Sequence, residues 1–223
     1  MQISLYLEQA NLSLGVAAKC IKIMVSIANS EYWENRYQEG KTNWDLGKAS
    51  PPLVSLLNSP DLALKTGRVA VLGCGRVYDA MLFADRGFDV IGFDFAPLAI
   101  TQATTLAQTA ANSAQFLQRD IFSLASEFSS YFDYVIEHTC FCAIEPEQRL
   151  DYVQIVQQIL QPQGELIGIF FTHSRAGGPP FGVTPTQIKQ YFEPKFETIS
   201  LVPVINSVPE RQGEEHLGRF RVK

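Results

Sequence analysis

The sequence predicts an α/β fold, a parallel sheet with helices on both faces. Three observations predict it. After residue 68, short β-rich runs alternate with helical stretches, the order that builds parallel strand–helix–strand units. The first such run leads straight into a glycine pair, Gly73-Cys74-Gly75. Sheets of this kind bind ligands there, beyond the carboxyl ends of their strands. The chain has 223 residues, of which 46% are hydrophobic and 18% charged. That is enough to bury a sizeable core in one large domain, and it excludes global disorder.

Before the alternation begins, residues 5–28 read as an amphipathic helix. Lys19, Lys22, Ser26 and Asn29 make one polar stripe at helical spacing. The two lysines interrupt the apolar residues, so no run reaches the ~20 a membrane span needs. Only Glu8 precedes it, where a secretory leader would want basic residues. The spacing favours a helix packed on the body over a mobile lid. Met24 offers an internal start that would make the segment dispensable, and the sequon Asn11-Leu12-Ser13 reads as chance. The expected division is therefore an N-terminal helical cover, 1–30, and a domain over 31–223.

Within that domain, residues 68–72 (RVAVL) form a strand, 78–86 a helix and 88–93 (FDVIGF) a strand. Residues 97–109 form a helix with Pro97 in its first turn. Residues 114–118 and 132–136 (FDYVI) are two more strands. Residues 147–160 form a helix that stops before Pro162 and Gly164. Residues 165–171 (ELIGIFF) are a strand, 185–192 a short helix, and 196–204 and 216–222 two late strands.

Three successive strand ends carry ligand-binding chemistry. Gly73 and Gly75 allow a sharp turn and a close backbone approach. A dinucleotide fingerprint would place a third glycine where Tyr78 stands, which argues against a bound pyrophosphate. The turn better suits a nucleoside with an amino-acid tail, which is S-adenosylmethionine. Asp94 ends the next strand near the ~20-residue spacing of a carboxylate that accepts from ribose hydroxyls. Its plainer role is to cap the helix at Pro97. Asp120, with Ile121 beside it, ends the third strand. There it can accept from an adenine amino group, or simply cap the segment 122–128. Each acid alone is ambiguous; three consecutive strand ends favour an adenosine-type cofactor.

Both tryptophans, Trp33 and Trp44, fall within residues 31–47, with Tyr32 and Tyr37. Trp33 and Tyr37, at i and i+4, share a helix face. Aromatic faces attract a sulfonium cation by ~0.5 to 2 kcal/mol. Ordinary packing is the commoner fate of a Trp, but Asn35, Arg36 and Asp45 point to a pocket wall. The net charge of −5 offers no basic excess for a nucleic-acid backbone. Four cysteines do not make a disulfide scaffold in a chain this long, and they suit a reducing, cytoplasmic setting. Cys140-Phe141-Cys142 lacks the spacing and partners of a metal site and reads as an apolar pair, with no metal.

The chain resembles the thiopurine S-methyltransferase family, most closely its halide/thiol (thiocyanate) methyltransferase branch. The resemblance rests on W-x-x-R-Y-x-x-G-x-T-x-W-D-x-G over 33–47, VLGCGRVYD over 71–79 and FDYVIEHTCFCAIEPEQR over 132–149. GELI, GGPPF and the closing LGRF over 217–220 add to it. It implies a class I S-adenosylmethionine-dependent methyltransferase, Rossmann-like, with a seven-stranded mostly parallel sheet. It implies methyl transfer to a small soft nucleophile, and cofactor contacts at Trp33, Tyr37, Trp44, Gly73, Gly75, Asp94, Asp120, Ile121 and His138. His138 stands where relatives have Tyr or Arg. Phe171 and Phe181 stand where plant members often carry Tyr, so the departures gather around the acceptor.

Methyl transfer is an in-line displacement that needs positioning and a dry site. Thr139, Cys140, Phe171, Gly178 and Phe181 are the expected acceptor wall, with Gly177, Pro179 and Pro180. A thiol of pKa ~8.5 needs little help, and His138 is the candidate assisting base, with a purely structural role as its alternative. His173 and His216 read as solvated or structural. Arg149 reads as a helix-start residue or a lure for an anion. The partner is a small or anionic acceptor, not a nucleic acid or a membrane, and the protein a monomer or weak homodimer. Three other readings remain: N- or O-methylation of a larger metabolite, a non-catalytic cofactor-binding module, and an NAD-dependent oxidoreductase.

Overall fold

The structure is a computed structural model that describes residues 26–60 and 64–223. The expected helix over 5–28 therefore lies, up to residue 25, outside the described residues. Residues 26–29 form a turn that leads into helix α1, Ser30–Gln38. The Asn29 side chain accepts from the Glu31 N–H at 3.0 Å and starts this helix. Helix α2, Pro51–Asn58, places Pro at its first turn and buries Leu53 and Leu56.

The alternating part follows. Strand β1 is Arg68–Leu72, helix α3 Tyr78–Ala84, strand β2 Asp89–Asp94, helix α4 Pro97–Thr109 and strand β3 Gln115–Gln118. Next come a 3-10 turn at Ile121–Ser123, the short helix α5, Ala125–Phe128, and strand β4, Phe132–His138. Helix α6 is Arg149–Ile159, β5 Leu160–Phe171, α7 Pro185–Phe192, β6 Phe196–Pro203 and β7 Glu215–Val222.

The seven strands form one sheet in the order β3-β2-β1-β4-β5-β7-β6. All pairs from β3 to β5 are parallel, and β7 is antiparallel to both of its neighbours. The expected mostly parallel, seven-stranded sheet is present. The strand order reverses between β1 and β4, and such a switch point opens a crevice at the carboxyl ends.

Central strands read as continuous apolar runs because both faces are covered. One face packs Val69, Val71 and Ile136 against Leu53 of α2 and Phe83 of α3. The other packs Val135 and Phe220 against Val156 of α6 and Phe192 of α7. The main boundary difference is β5, which starts at Leu160 and not at residue 165. The chain turns directly from α6 into the sheet, and the β4–β5 register shifts between Phe132 and Tyr134 to take up the extra residues.

Candidate active site

The loop after β1 is fixed to β2 by a Cys74 N–H bond to the Phe93 carbonyl at 2.9 Å. Gly73 and Gly75 both have positive φ, +57° and +50°. A Cβ on Gly73 would stand 3.1 Å from Cys140 Sγ, and one on Gly75 would stand 3.1 Å from the Tyr37 hydroxyl. Glycine is needed here for conformation and for room alike. Val77, which opens α3, also has positive φ (+76°), as does Thr139 just past β4 (+66°). A left-handed conformation costs a β-branched residue about 1–2 kcal/mol. Backbone strain of this kind gathers at built sites.

Asp94, at the end of β2, accepts from the Gly75 N–H at 3.1 Å and the Ala96 N–H at 3.0 Å. Burial pushes its carboxyl up to about 6, although these backbone donors pull the other way. Asp120 caps the turn after β3 by accepting from the Phe122 N–H at 3.0 Å. The plain capping role is therefore real for Asp120 alone: Asp94 bonds the N–H of Ala96, and helix α4 follows Ala96 without a side-chain cap. Both acids also line the cavity.

The cavity has a volume of about 430 Å³ and lies at the carboxyl ends of the strands. On one side α1 and the segment after it supply Trp33, Arg36, Tyr37 and Trp44. Trp44 meets Trp33 and Tyr37 edge to face at 5.4 and 5.7 Å, and Trp33 donates its indole N–H to the Ile27 carbonyl. Burial raises the Tyr37 hydroxyl far out of reach of ionisation.

On the other side stand Thr139, Cys140, Phe171, Pro179 and Pro180. Buried Glu137 holds the turn after β4. It accepts from the Cys140 and Phe141 N–H groups at 3.0 and 2.7 Å and from the Tyr152 hydroxyl at 2.6 Å. Burial lifts its carboxyl to about 7. The same burial pushes Cys142 up to about 12 and Cys74 and Cys140 well above the usual thiol range, so all three are neutral thiols.

Arg149 opens α6 but is 3% exposed. It donates to the Phe181 and Gly182 carbonyls at 3.0 and 3.2 Å and lies over the Phe141 ring. The Phe181 N–H in turn donates to the Cys142 carbonyl at 2.7 Å. Together these bonds clamp the loop of 177–182 to the turn after β4. Arg149 is thus neither a simple helix-start residue nor a lure at the mouth.

Of the sequence-predicted residues, Trp33, Tyr37, Trp44, Gly73, Asp94, Asp120, Ile121, Thr139, Cys140 and Phe171 share this one cavity. Gly75 and His138 line a smaller recess beside it. His138 is a correction. Its Nδ1 faces Asp79 at 2.7 Å, and Arg211 donates to its Nε2 at 2.9 Å. With both ring nitrogens engaged, it has no free lone pair to act as a base. Gly178 and Phe181 are also corrected. The Phe181 ring folds back over Gly178, and the prolines between them form the wall instead. His173 is buried against Phe171 and not solvated. Phe95, Gln148, Glu210 and Arg211 line the cavity without having been picked out. Arg211 donates to the Trp44 carbonyl at 2.7 Å, a tie across the chain that no local pattern announces. Cys140 and Cys142 belong to no group of three His, Cys, Asp or Glu that could hold a metal among the described residues.

These residues fit a nucleoside with a sulfonium tail. Backbone at Gly73 admits close approach, Asp94 and Asp120 would accept hydroxyl and amino hydrogens, and the aromatic wall suits a cation.

The sequence model of the family described as Thiopurine S-methyltransferase (TPMT) matches residues 28–221. The chain is 35% identical over 202 residues to the Probable thiol methyltransferase 2 of Arabidopsis thaliana, covering 89% of this chain and 88% of that one. It is 32% identical over 193 residues to Thiocyanate methyltransferase 1 of the same plant, covering 85% and 83%. A Thiopurine S-methyltransferase of Psychrobacter cryohalolentis is 24% identical over 214 residues, covering 85% and 97%. Among solved structures, a Burkholderia thailandensis 1,6-didemethyltoxoflavin-N1-methyltransferase with bound S-adenosylhomocysteine has the same fold, with a TM-score of 0.70 at 18% identity over 88% of each chain.

Proposed function

The chain belongs to the thiopurine S-methyltransferase family and is an S-adenosylmethionine-dependent methyltransferase; we propose that its acceptor is a small thiol, hydrosulfide, thiocyanate or halide taken up on the Thr139–Cys140–Phe171 side of the cavity. The observation that carries this reading is that the apolar, aromatic lining of Thr139, Cys140, Phe171, Pro179 and Pro180 shares one cavity with Asp94 and Gly73. S-adenosylmethionine, when bound, supplies an electrophilic methyl group on a sulfonium. Gly73, Gly75, Asp94, Asp120 and Ile121 hold its nucleoside and tail, and Trp33, Tyr37 and Trp44 give the cation an aromatic surround. The opposite wall excludes water, so the anionic acceptor meets the cation in a low dielectric where their attraction is strong. The acceptor sulfur or halide gains the methyl carbon, and the electron pair of the broken bond stays with the departing thioether. A thiol acceptor enters as its thiolate, having left its proton in bulk solvent, since neither His138 nor the neutral cysteines can take it inside the cavity.

We propose further that the protein works in the cytoplasm on small molecules, not on nucleic acid or membrane. Its net charge of −5 and three free thiols among the described residues, of which Cys140 and Cys142 are buried, support this; no described helix is long and apolar enough to cross a membrane. Headspace gas chromatography after incubation with S-adenosylmethionine and iodide, thiocyanate, hydrosulfide or small thiols tests the function. The expected result is a methylated volatile product from at least one of them. Turnover restricted to nitrogen or oxygen acceptors would refute the reading.

A further inference from the structure

We propose that His138 is a positioning residue for the cofactor: as a neutral ring with its proton on Nδ1, it joins Asp79 to Arg211, and Arg211 holds Trp44 in the aromatic surround. The inference rests on the reading of Trp33, Tyr37 and Trp44 as the aromatic wall of the cofactor. Trp44 is the centre of that wall, edge to face with Trp33 at 5.4 Å and with Tyr37 at 5.7 Å. Yet it lies in a turn, outside any helix or strand. Its carbonyl accepts from Arg211 Nη2 at 2.7 Å, a tie between residues 167 apart in the chain.

Arg211 is held in its turn. It closes the short 3-10 segment Pro209–Arg211 before β7. Its Nη1 lies 2.9 Å from His138 Nε2 and 3.5 Å from Glu215. A guanidinium carries donors only, so Nε2 must offer a lone pair, and the ring proton sits on Nδ1. There it faces Asp79 Oδ2 at 2.7 Å. Asp79 is itself fixed, because its Oδ1 accepts from the Ser50 N–H at 2.7 Å. A carboxylate in the first turn of α3 thereby sets the tautomer of a ring at the end of β4. The ring sets a guanidinium before β7, and the guanidinium sets a carbonyl in the aromatic wall.

The His138 and Asp79 side chains are only 9% and 15% exposed, so water is a poor substitute for a partner lost from this chain of bonds. His138 lines the smaller recess and is not among the residues that line the main cavity. It therefore acts on the aromatic wall through Arg211, not by touching the acceptor. A carboxylate that fixes a histidine tautomer is a general means of placing the group at the far ring nitrogen. A ring with its proton on Nε2 would turn an N–H towards Arg211 and open the tie to Trp44.

The test measures S-adenosylmethionine affinity by calorimetry, and kcat with hydrosulfide at saturating cofactor, in the full chain and in His138→Gln, His138→Asn and Asp79→Asn. A Gln amide oxygen can stand near the place of Nε2 and accept from Arg211. The Asn amide stops short, near the place of Nδ1, and leaves Arg211 unanswered. Asp79→Asn keeps its oxygen on the Ser50 N–H and turns an N–H to Nδ1, which drives the ring proton to Nε2. The expected result is an affinity about tenfold weaker in His138→Asn and Asp79→Asn and within about threefold of the natural chain in His138→Gln. The kcat should stay within about twofold in all three. Tryptophan emission, which comes from Trp33 and Trp44 alone, should shift in the two Asn variants and not in His138→Gln. If His138→Asn fails to fold, Asp79→Asn against His138→Gln decides. Equal affinity in the Gln and Asn variants, or a kcat that falls while affinity holds, would overturn the inference and leave the transfer reading intact. Cofactor binding without methylation of any acceptor would bring down the transfer reading alone, and no cofactor binding by the natural chain would bring down both.

Discussion

Asp94 lines the cavity and Arg149 lies outside its lining, bonded to the loop of 177–182, and they are held in different ways. Asp94 ends a strand and bonds backbone N–H groups two residues onward and in the loop of the neighbouring strand. Its place follows from the sheet itself. Arg149 opens a helix and reaches carbonyls 32 and 33 residues away. Its place depends on a loop that only the folded chain brings near. Asp94 is thus placed by a strand end, and the loop of 177–182 by long ties between side chain and backbone. The first kind of construction suits a common ligand. The second lets the acceptor wall change without disturbing the sheet.

Removing one residue from each side shows the difference. The largest effect belongs to Asp94→Ala. It deletes a carboxylate poised for two charge-assisted hydrogen bonds of about 1.5–3 kcal/mol each. Calorimetry should show S-adenosylmethionine affinity falling by more than about 100-fold. Affinity within about twofold of the natural chain would contradict the ribose role.

Next is Glu137→Ala, which orphans two N–H groups and the Tyr152 hydroxyl behind the acceptor wall. Chemical denaturation should register a loss of about 3 kcal/mol. Arg149→Met should be milder for stability, about 1–2 kcal/mol, but should free the loop of 177–182. Amide exchange at Phe181 and Gly182 would then speed up while exchange at Gly75 stays as it was. Equal acceleration at both would erase the distinction between the two sides.

Two pH effects are smaller, and they separate cofactor affinity from stability by sign. Asp94 must be ionised to accept from ribose hydroxyls with its full charge. Cofactor affinity should therefore be flat above about pH 6 and fall below it. Stability of the cofactor-free protein runs the other way. Asp94 and Glu137 have folded values near 6 and 7, above their ordinary 3.9 and 4.3. The folded state then holds protons that the unfolded state has released, so stability should decline as pH rises from about 4 to 7. Denaturation midpoints across this window check the sign.

Gly73, Asp94 and Asp120 were legible in the sequence because each follows a short apolar run and needs no partner far away. Trp33, Tyr37 and Trp44 stood out by their density. The sheet was legible for the same reason, down to its two late strands. His138 was misread because what occupies it, Asp79 and Arg211, lies 59 and 73 residues away. Arg149 was misread because a buried guanidinium at a helix start looks, in sequence, like any surface one. Phe181 was placed in the wall because its neighbours are, and only the fold of its ring over Gly178 takes it out.

Two-substrate initial-rate kinetics on Asp94→Ala and Arg149→Met, with hydrosulfide as the varied acceptor, test the division most directly. The expected result is crossed: Asp94→Ala raises KM for S-adenosylmethionine and leaves that for hydrosulfide, and Arg149→Met does the reverse. If Arg149→Met raised KM for S-adenosylmethionine alone, or if both variants raised the same constant, the two sides of the cavity would not have the separate roles assigned to them.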